Sequence, residues 1–470
     1  MPGRIGFISL GCAKNLVNTE QMMYLLDRAG YQVTGETDGV DVVIVNTCGF
    51  IESAKAEAID TIFELVTAKD EGKVGKIVVA GCYPQRYRDD IFRELPKVDA
   101  LVGVGSFDEI VSVVRECGSN SEVIKRFGDI NAPVSEAPRI ITSSPIWTYL
   151  KIADGCDNRC AYCSIPDIRG RYRSRPMENI VEEARQLVRM GTREMIIVAQ
   201  DVTRYGLDHY GEHKLTELLT ALDSIDELKW IRLHYLYPDE LSDSLIEKIT
   251  KSDKILNYVD IPIQHINDGI LAKMNRRSSG NEIRALFRQL RERIPGVVLR
   301  TSLITGLPGE GEAEFAELLE FLSEAKIERA GVFAYSPEEG TTAALMERPD
   351  MDTAQDRAAK VEALQVKIME NFNMSRIGTE TTVLVEEAYT AGPSPCANTT
   401  EPSPCVESSP CADANTTSLS PCVLARSYAE SPDVDGYIIV KGGGIKPNTF
   451  IDVRITGIEN GELVGEQVLI

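Results

Sequence analysis

Three cysteines stand within eight residues in Asp154-Gly155-Cys156-Asp157-Asn158-Arg159-Cys160-Ala161-Tyr162-Cys163, spaced C-x3-C-x2-C. Thiolates are soft ligands that select iron–sulfur clusters or zinc. Structural zinc patterns pair such a run with a second pair of Cys or His downstream. No such pair follows, and the whole chain holds only four histidines. A disulfide reading fails on the odd count and on the lack of a preceding secretory signal. Three thiols on one loop can hold three irons of a four-iron cluster and leave the fourth iron open. The plain alternative is three thiols that merely pack, and the tight spacing argues against it.

A second set of thiols is spread over the N-terminal third. The apolar runs Arg4–Leu10, Val42–Val45 and Lys76–Ala80 each end at a cysteine: Leu10-Gly11-Cys12, Asn46-Thr47-Cys48-Gly49 and Ala80-Gly81-Cys82. Helical patterns follow the first two, over Leu16–Ala29 and Ser53–Thr67, so the region reads as βαβ units on a parallel sheet. Ligands of open α/β sheets bind at the carboxyl ends of the strands. Three strand ends delivering three thiols to one edge therefore point to a metal site, against the alternative of three unrelated buried cysteines. Cys117 lies outside every motif and reads as a plain thiol at a helix end.

The C-x3-C-x2-C run resembles the signature of radical S-adenosylmethionine (SAM) enzymes. The resemblance implies a four-iron cluster on Cys156, Cys160 and Cys163, with SAM on the open iron and a 5′-deoxyadenosyl radical as its product. Ser9-Leu10-Gly11-Cys12-Ala13-Lys14-Asn15 and Asn46-Thr47-Cys48-Gly49 extend the resemblance to the methylthiotransferases, which carry a second four-iron cluster, here on Cys12, Cys48 and Cys82. Lys14-Asn15 after the first cysteine is similar to the RimO branch, which modifies the β-carbon of an aspartate in ribosomal protein S-twelve. The tRNA-modifying branch typically has Gln-Met-Asn there. Ala13, Asn18 and Thr19 depart slightly from the commonest wording of the RimO branch. The resemblance implies two 4Fe-4S clusters and SAM as cofactors. As partners it implies ribosomal protein S-twelve, free or in the small subunit, and an electron donor such as flavodoxin or ferredoxin.

Further motifs resemble that family in order along the chain. They suggest cofactor contacts from Tyr162, Glu194, Gln200, Arg300, Gly306 and Glu310. A Gly-rich turn such as Thr305-Gly306-Leu307-Pro308-Gly309 is weak evidence by itself. His265 fits a hydrogen-bonded structural histidine as well as a substrate contact. The run Arg169-Gly170-Arg171-Tyr172-Arg173-Ser174-Arg175 follows the cysteine loop. Arginine forks suit carboxylates, and these four fit the SAM carboxylate, the substrate aspartate or a neighbouring domain.

These residues must be positioned by a multidomain α/β chain. Residues 1–118 read as the N-terminal α/β domain, and 119–142 as a linker with a short strand. Residues 143–376 read as a radical SAM domain. Its six candidate strands are Thr148–Ala153, Met195–Ala199, Trp230–Leu236, Tyr258–Ile263, Val297–Ile304 and Ala330–Tyr335. Alternating with helices, they suggest a partial (β/α)6 barrel with the cysteine loop after its first strand. Thr381–Glu386 and Tyr437–Ile470 alternate apolar and polar positions, so residues 377–470 read as a small antiparallel β-barrel resembling a TRAM domain. Near 391–424 it carries a low-complexity insert with Ser-Pro-Cys four times, ending at Cys396, Cys405, Cys411 and Cys422, and with sequons at Asn398 and Asn415. The insert reads as disordered.

The chain of 470 residues has 50 basic and 72 acidic side chains, a net of −22 and a pI near 4.8. That balance disfavours phosphate backbones, so tRNA is an unfavoured partner. Residues 378–470 hold thirteen acids against four bases, which suits a basic protein surface. No apolar run approaches the ~20 residues a membrane span needs, and clustered free cysteines suit a reducing cytoplasm. The rival readings are a tRNA adenosine methylthiotransferase and a non-catalytic iron–sulfur sensor or electron carrier.

Overall fold

The computed structural model describes residues 3–91, 95, 97–118, 122–389 and 422–468. Its first layer is a six-stranded, all-parallel sheet in the order β2-β1-β3-β4-β5-β6. The strands are β1 (Arg4–Ser9), β2 (Gln32–Thr34), β3 (Val40–Thr47), β4 (Val74–Gly81), β5 (Ala100–Val102) and β6 (Ile124–Arg126). β3 and β4 read as nearly unbroken apolar runs because each is covered on both faces. β6 falls in the stretch read as a linker. Only Ile124 of its three residues is apolar, so it carries no pattern of its own and is held by pairing with β5.

The second layer holds six parallel strands in the order β14-β13-β12-β11-β10-β7, so that β7 and β14 are free edges of an incomplete barrel. They are β7 (Trp147–Lys151), β10 (Glu194–Val198), β11 (Trp230–Leu233), β12 (Ile255–Asp260), β13 (Val298–Thr305) and β14 (Arg329–Ala334); a small antiparallel pair, β8 (Ala153–Asp154) and β9 (Arg173–Ser174), lies between β7 and β10 in sequence. Side chains alternate across these strands. Leu150, Met195, Ile197, Leu233 and Val259 form one core with residues of the surrounding helices, among them Leu187, Leu290 and Leu318. Trp147, Tyr149, Ile196, Val198, Trp230 and Tyr258 form another, with Val17 of the first domain and Leu384 and Ala429 of the third.

The helix that enters this inner core is α1 (Ala13–Arg28). It buries Lys14, Asn15, Asn18, Thr19, Glu20 and Gln21 beside its apolar residues. A polar helix surface survives burial only when each group finds a partner. Glu20 pairs with Arg139 at 2.8 Å, and Gln21 Nε2 donates to the Ser135 and Ala137 carbonyls at 3.2 and 3.1 Å. α1 is thus wedged between the first two domains.

The third domain is a closed barrel in the order β15-β16-β17-β19-β18. Its strands are β15 (Glu380–Tyr389), β16 (Cys422–Arg426), β17 (Ile438–Lys441), β18 (Thr449–Glu459) and β19 (Glu462–Gln467). β16 was not legible in the sequence because it starts on the last Ser-Pro-Cys repeat; Cys422 is a buried strand residue. Cys396, Cys405 and Cys411, with Asn398 and Asn415, lie outside the described residues.

This barrel docks on the inner face of the second layer through buried charge. Arg426 pairs with Glu194 at 2.8 Å, and Glu430 pairs with Arg329 at 3.0 Å and with Arg376. Tyr258 Oη donates to Asp435, and Tyr149 Oη to Asp433. Several of the domain's acids therefore serve docking, which shrinks the acidic surface offered to a partner.

Glu430 makes the docking pH-dependent. Burial alone would raise its carboxyl, but Arg376 and Arg329 hold it down to about 2, against an ordinary 4.5. A depressed folded-state pKa adds stability above the unfolded-state value, and the gain is lost as pH falls through the folded one. The loss, on the order of 3 kcal/mol, should fall between about pH 4.5 and 2. Both tryptophans of the chain, Trp147 and Trp230, sit in the interface core, Trp230 edge-on to Phe450 at 4.9 Å. Denaturant midpoints from tryptophan fluorescence should therefore be lower for Glu430→Gln than for wild type at neutral pH and less sensitive to acid. Equal acid sensitivity in the two proteins would remove Glu430 from this role.

Candidate functional site

The N-terminal cysteines are delivered as the strand pattern requires. Cys12 caps α1 just beyond β1, Cys48 follows β3, and Cys82 opens a short helix, α2 (Cys82–Tyr87), directly after β4. The turn at Gly81 has φ +102, and a Cβ there would lie 2.4 Å from Asn46 Oδ1, so only glycine lets the chain turn this tightly. The three thiols lie near enough for each to act electrostatically on another.

Cys156, Cys160 and Cys163 occupy the loop after β8, at the carboxyl edge of the second layer. Gly155, at φ +80, closes it: a Cβ would stand 2.0 Å from the Arg171 carbonyl. Asn158 Nδ2 donates to Asp201 at 2.7 Å, and Tyr172 Oη to the Asp201 carbonyl at 2.8 Å. Asn275 Nδ2 donates to the Arg159 carbonyl at 2.9 Å. Tyr237 Oη lies 3.0 Å from Cys160 Sγ, and Arg276 Nη1 lies 3.8 Å from the same sulfur. Donors of this kind orient thiolate ligands and tune what they hold.

Burial keeps most of these sulfurs in the thiol form unless a cation compensates the charge. Burial pushes Cys48 and Cys156 each up to about 12, and raises Cys82 and Cys163 as well. Cys12 differs: burial opposes its ionisation, yet the Lys14 and Arg169 charges bring it below the ordinary value. Buried thiols become ligands only when a cation makes the thiolate affordable. Among the described residues no three Cys, His, Asp or Glu side chains converge as a single ion demands. Thiolates at separate corners of a multi-iron cluster are spread wider than that. Polar atoms near the second triplet fit a polar cofactor, since among the described residues Gln200 Oε1 and Ser164 Oγ are buried without a hydrogen-bond partner.

Arg169 joins the two sets. It is buried at the end of the helix Ile165–Arg169. Its Nη1 donates to both oxygens of Asp154 at 3.1 and 3.0 Å, and its Nη2 to Asn15 Oδ1. Asp154 also accepts from Gln200 Nε2 at 3.0 Å and pairs with Lys151 at 3.3 Å. Asn15 in turn donates to the Leu10 and Thr47 carbonyls, beside Cys12 and Cys48, and its Oδ1 lies 3.8 Å from Cys82 Sγ. One arginine thus ties the segment before Cys156 to the helix after Cys12. Of the other arginines in the run, Arg175 is buried against Glu136 and Glu183, and Arg173 donates to the Arg169 and Arg171 carbonyls. The side chain of Arg171 is 77% exposed.

The expected cofactor contacts divide. Tyr162 packs with Ala161, Met274, Leu307 and Tyr335 beside the cysteine loop, and Gln200 bonds Asp154 there. Gly306 and Glu310 share the turn after β13: Glu310 Oε1 accepts from Gly306 N and from Arg357 Nη1, both at 2.8 Å. Its Oε2 faces His265 Nε2 at 3.3 Å, though the angle is poor for a hydrogen bond. Glu310 therefore shapes the loop. His265, fully buried, accepts from Asn267 N at Nδ1, which is the structural role. Arg300 is engaged by Asp260 at 3.3 Å and by Asp435 at 3.8 Å. Glu194 is a correction. It opens β10, at the strand end away from the cysteine loop, and its two oxygens are held by Arg232 at 2.9 Å and Arg426 at 2.8 Å. A fully buried, doubly paired carboxylate has no atom left for a cofactor. Sequence reasoning missed Tyr237 and Arg276, which touch Cys160 from 77 and 116 residues away.

Comparison with known proteins places three family models on the chain. The radical SAM superfamily matches residues 150–322, the uncharacterized protein family UPF0004 residues 4–103, and the TRAM domain residues 415–468. The chain is 41% identical over 468 residues to the ribosomal protein uS12 methylthiotransferase RimO of Symbiobacterium thermophilum, covering 99% of this chain and 91% of the relative. It is 42% identical to the protein of the same name from Geobacter sulfurreducens, covering 98% of each. The radical SAM methyltransferase TsrM of Kitasatospora setae, solved with cobalamin and a 4Fe-4S cluster, is alike in fold at a TM-score of 0.54 and 13% identity, over 73% of this chain and 77% of that one. The cobalamin-dependent radical enzyme OxsB, solved with aqua-cobalamin and SAM, is alike in fold at 0.52 and 12%, over 80% and 68%. Among the described residues no helix is long and apolar enough to cross a membrane.

Proposed function

Since this chain belongs to the RimO family of ribosomal protein uS12 methylthiotransferases, in the radical SAM superfamily, we propose that it places a methylthio group on the β-carbon of an aspartate of uS12. In this reading Cys156, Cys160 and Cys163 hold one 4Fe-4S cluster, and Cys12, Cys48 and Cys82 hold a second. When bound, the clusters supply the electron that cleaves SAM and the sulfur that is transferred. The protein's own work is positioning and exclusion of water. Tyr237 and Arg276 orient Cys160, Asp201 anchors the loop through Asn158, and Arg169 fixes the spacing of the two thiol sets. Tyr162, Gln200 and the Gly306 turn border the space left for SAM, and Glu310 and Arg357 brace that turn.

The observation that carries this reading is the Asp154–Arg169–Asn15 chain, which couples two thiol triplets from different domains. The radical SAM family match and the names of the relatives argue against a non-catalytic electron carrier or sensor. The acidic chain and the names of its relatives favour uS12 over tRNA adenosine. A small carrier such as flavodoxin or ferredoxin would deliver electrons, and the cytoplasm would keep the thiols reduced. In a strain lacking this chain, mass spectrometry of uS12 should show the loss of one methylthio group per protein while bulk tRNA stays unchanged. Loss of methylthio-adenosine with unmodified uS12 in both strains would reverse the assignment.

A further inference from the structure

Among the described residues Lys14 is a buried cation with no carboxylate paired to it. It lies in the first turn of α1, two residues after Cys12, and is 7% exposed. Its Nζ stands 3.7 Å from the ring centroid of Tyr235. The other buried lysine of this region, Lys151, has Asp154 as a counter-ion at 3.3 Å. Nearby carboxylates are already committed: Asp154 to Arg169 and Lys151, and Asp260 to Arg300 and the Tyr235 amide.

The place of this cation is defined by the strand that supplies Tyr235. Tyr235 follows β11 at the carboxyl edge of the partial barrel, in a left-handed conformation at φ +60. Its carbonyl accepts from Val202 N at 3.0 Å and its amide donates to Asp260 at 3.1 Å, so the backbone that carries the ring is held on both sides. Two residues on, Tyr237 reaches Cys160 at 3.0 Å. One strand end thus touches Lys14 beside the first thiol set and Cys160 in the second, and the proposed reaction brings the substrate carbon to both sets. Burying an ammonium is costly unless an anion compensates it, and the contact the structure shows for this one is the ring face of Tyr235.

We propose that Lys14, seated on Tyr235, binds the carboxylate of the side chain being modified and so selects an acidic substrate. The inference rests on the uS12 aspartate reading. The same carboxylate chemistry is offered by the methionine end of SAM, and the test separates the two sources.

Reconstituted full-length wild type, Lys14→Gln and Lys14→Arg would be assayed on purified uS12 and on uS12 with the modified aspartate replaced by asparagine. Iron content, and SAM cleavage without uS12, would be measured alongside. Loss of a charge-assisted contact should raise KM for uS12 at least about tenfold in Lys14→Gln. Wild type should prefer the aspartate form, Lys14→Gln should lose that preference, and Lys14→Arg should recover most of it. Iron content and the KM for SAM should stay as in wild type. An unchanged preference in Lys14→Gln overturns the proposal. So does a rise in KM for SAM alone, which assigns the cation to SAM, or a loss of iron with preference intact, which assigns it to the thiolates. A wild type that modifies neither form of uS12 overturns the substrate reading itself and is distinguished from these by the control.

Discussion

Replacing Cys156, Cys160 and Cys163 together with alanine is expected to abolish 5′-deoxyadenosine formation and leave the iron at Cys12, Cys48 and Cys82 in place. The loop that carries these thiols is held by contacts that do not use sulfur. Asn158 is anchored on Asp201, Tyr172 on the Asp201 carbonyl, and Asn275 on the Arg159 carbonyl. The backbone should therefore survive the loss of its metal. The N-terminal thiols are set by β1, β3 and β4, none of which pairs with a strand of the second layer. Each site should load on its own. Iron and sulfide analysis beside chromatography of the nucleoside product reads both halves of this expectation. Residual SAM cleavage in the triple variant would remove these three cysteines from radical generation.

Arg169→Met should have the next largest effect, and of a different kind. The substitution leaves Asp154 with Lys151 as its remaining ion-pair partner among the described residues and leaves Asn15 Oδ1 without its guanidinium donor. Breaking a buried pair from one side costs about 3–5 kcal/mol, and loss of partners that orient metal ligands costs about 10–100-fold in activity or affinity. Because Arg169 spans the two thiol sets, the loss should fall on their cooperation. SAM should still be cleaved, but the yield of methylthio product per 5′-deoxyadenosine should drop by about tenfold or more. Arg169→Lys should recover little, since a point charge cannot serve Asp154 and Asn15 at once. If cleavage and product fall in proportion, Arg169 is only a structural brace.

The cysteines and the strands that bear them were legible because both signals are local. A thiol spacing is read within one loop, and an apolar run ending at Gly-Cys is read within one strand. The six strands of the partial barrel were legible for the same reason, with ends within a few residues of those found. The polar wedge of α1 was not. Lys14, Asn15, Glu20 and Gln21 look solvated in sequence, and their burial depends on Tyr235, Arg169, Arg139 and the 135–137 backbone, all far along the chain.

Glu194 failed for a geometric reason. It stands six residues before Gln200, but those residues are a strand, so its side chain lies at the other end of the barrel, against Arg232 and Arg426. Arg426 belongs to another domain, and no local pattern announces it. Four arginines after the cysteine loop looked alike, and the fold gave two of them different buried partners and left Arg171 outside. The net charge of the C-terminal barrel overstates its acidic surface in the same way, since Glu430, Asp433 and Asp435 face the second domain.

The central claim is that two thiol triplets do two jobs in one chain, and the variant with Cys12, Cys48 and Cys82 all changed to alanine tests it most directly. Iron and sulfide would be measured after reconstitution, then 5′-deoxyadenosine and methylthio-uS12 from the same reaction. The account predicts about half the wild-type iron, continued SAM cleavage and no methylthio product. Full wild-type iron in a folded variant, or methylthio-uS12 still formed, would contradict it.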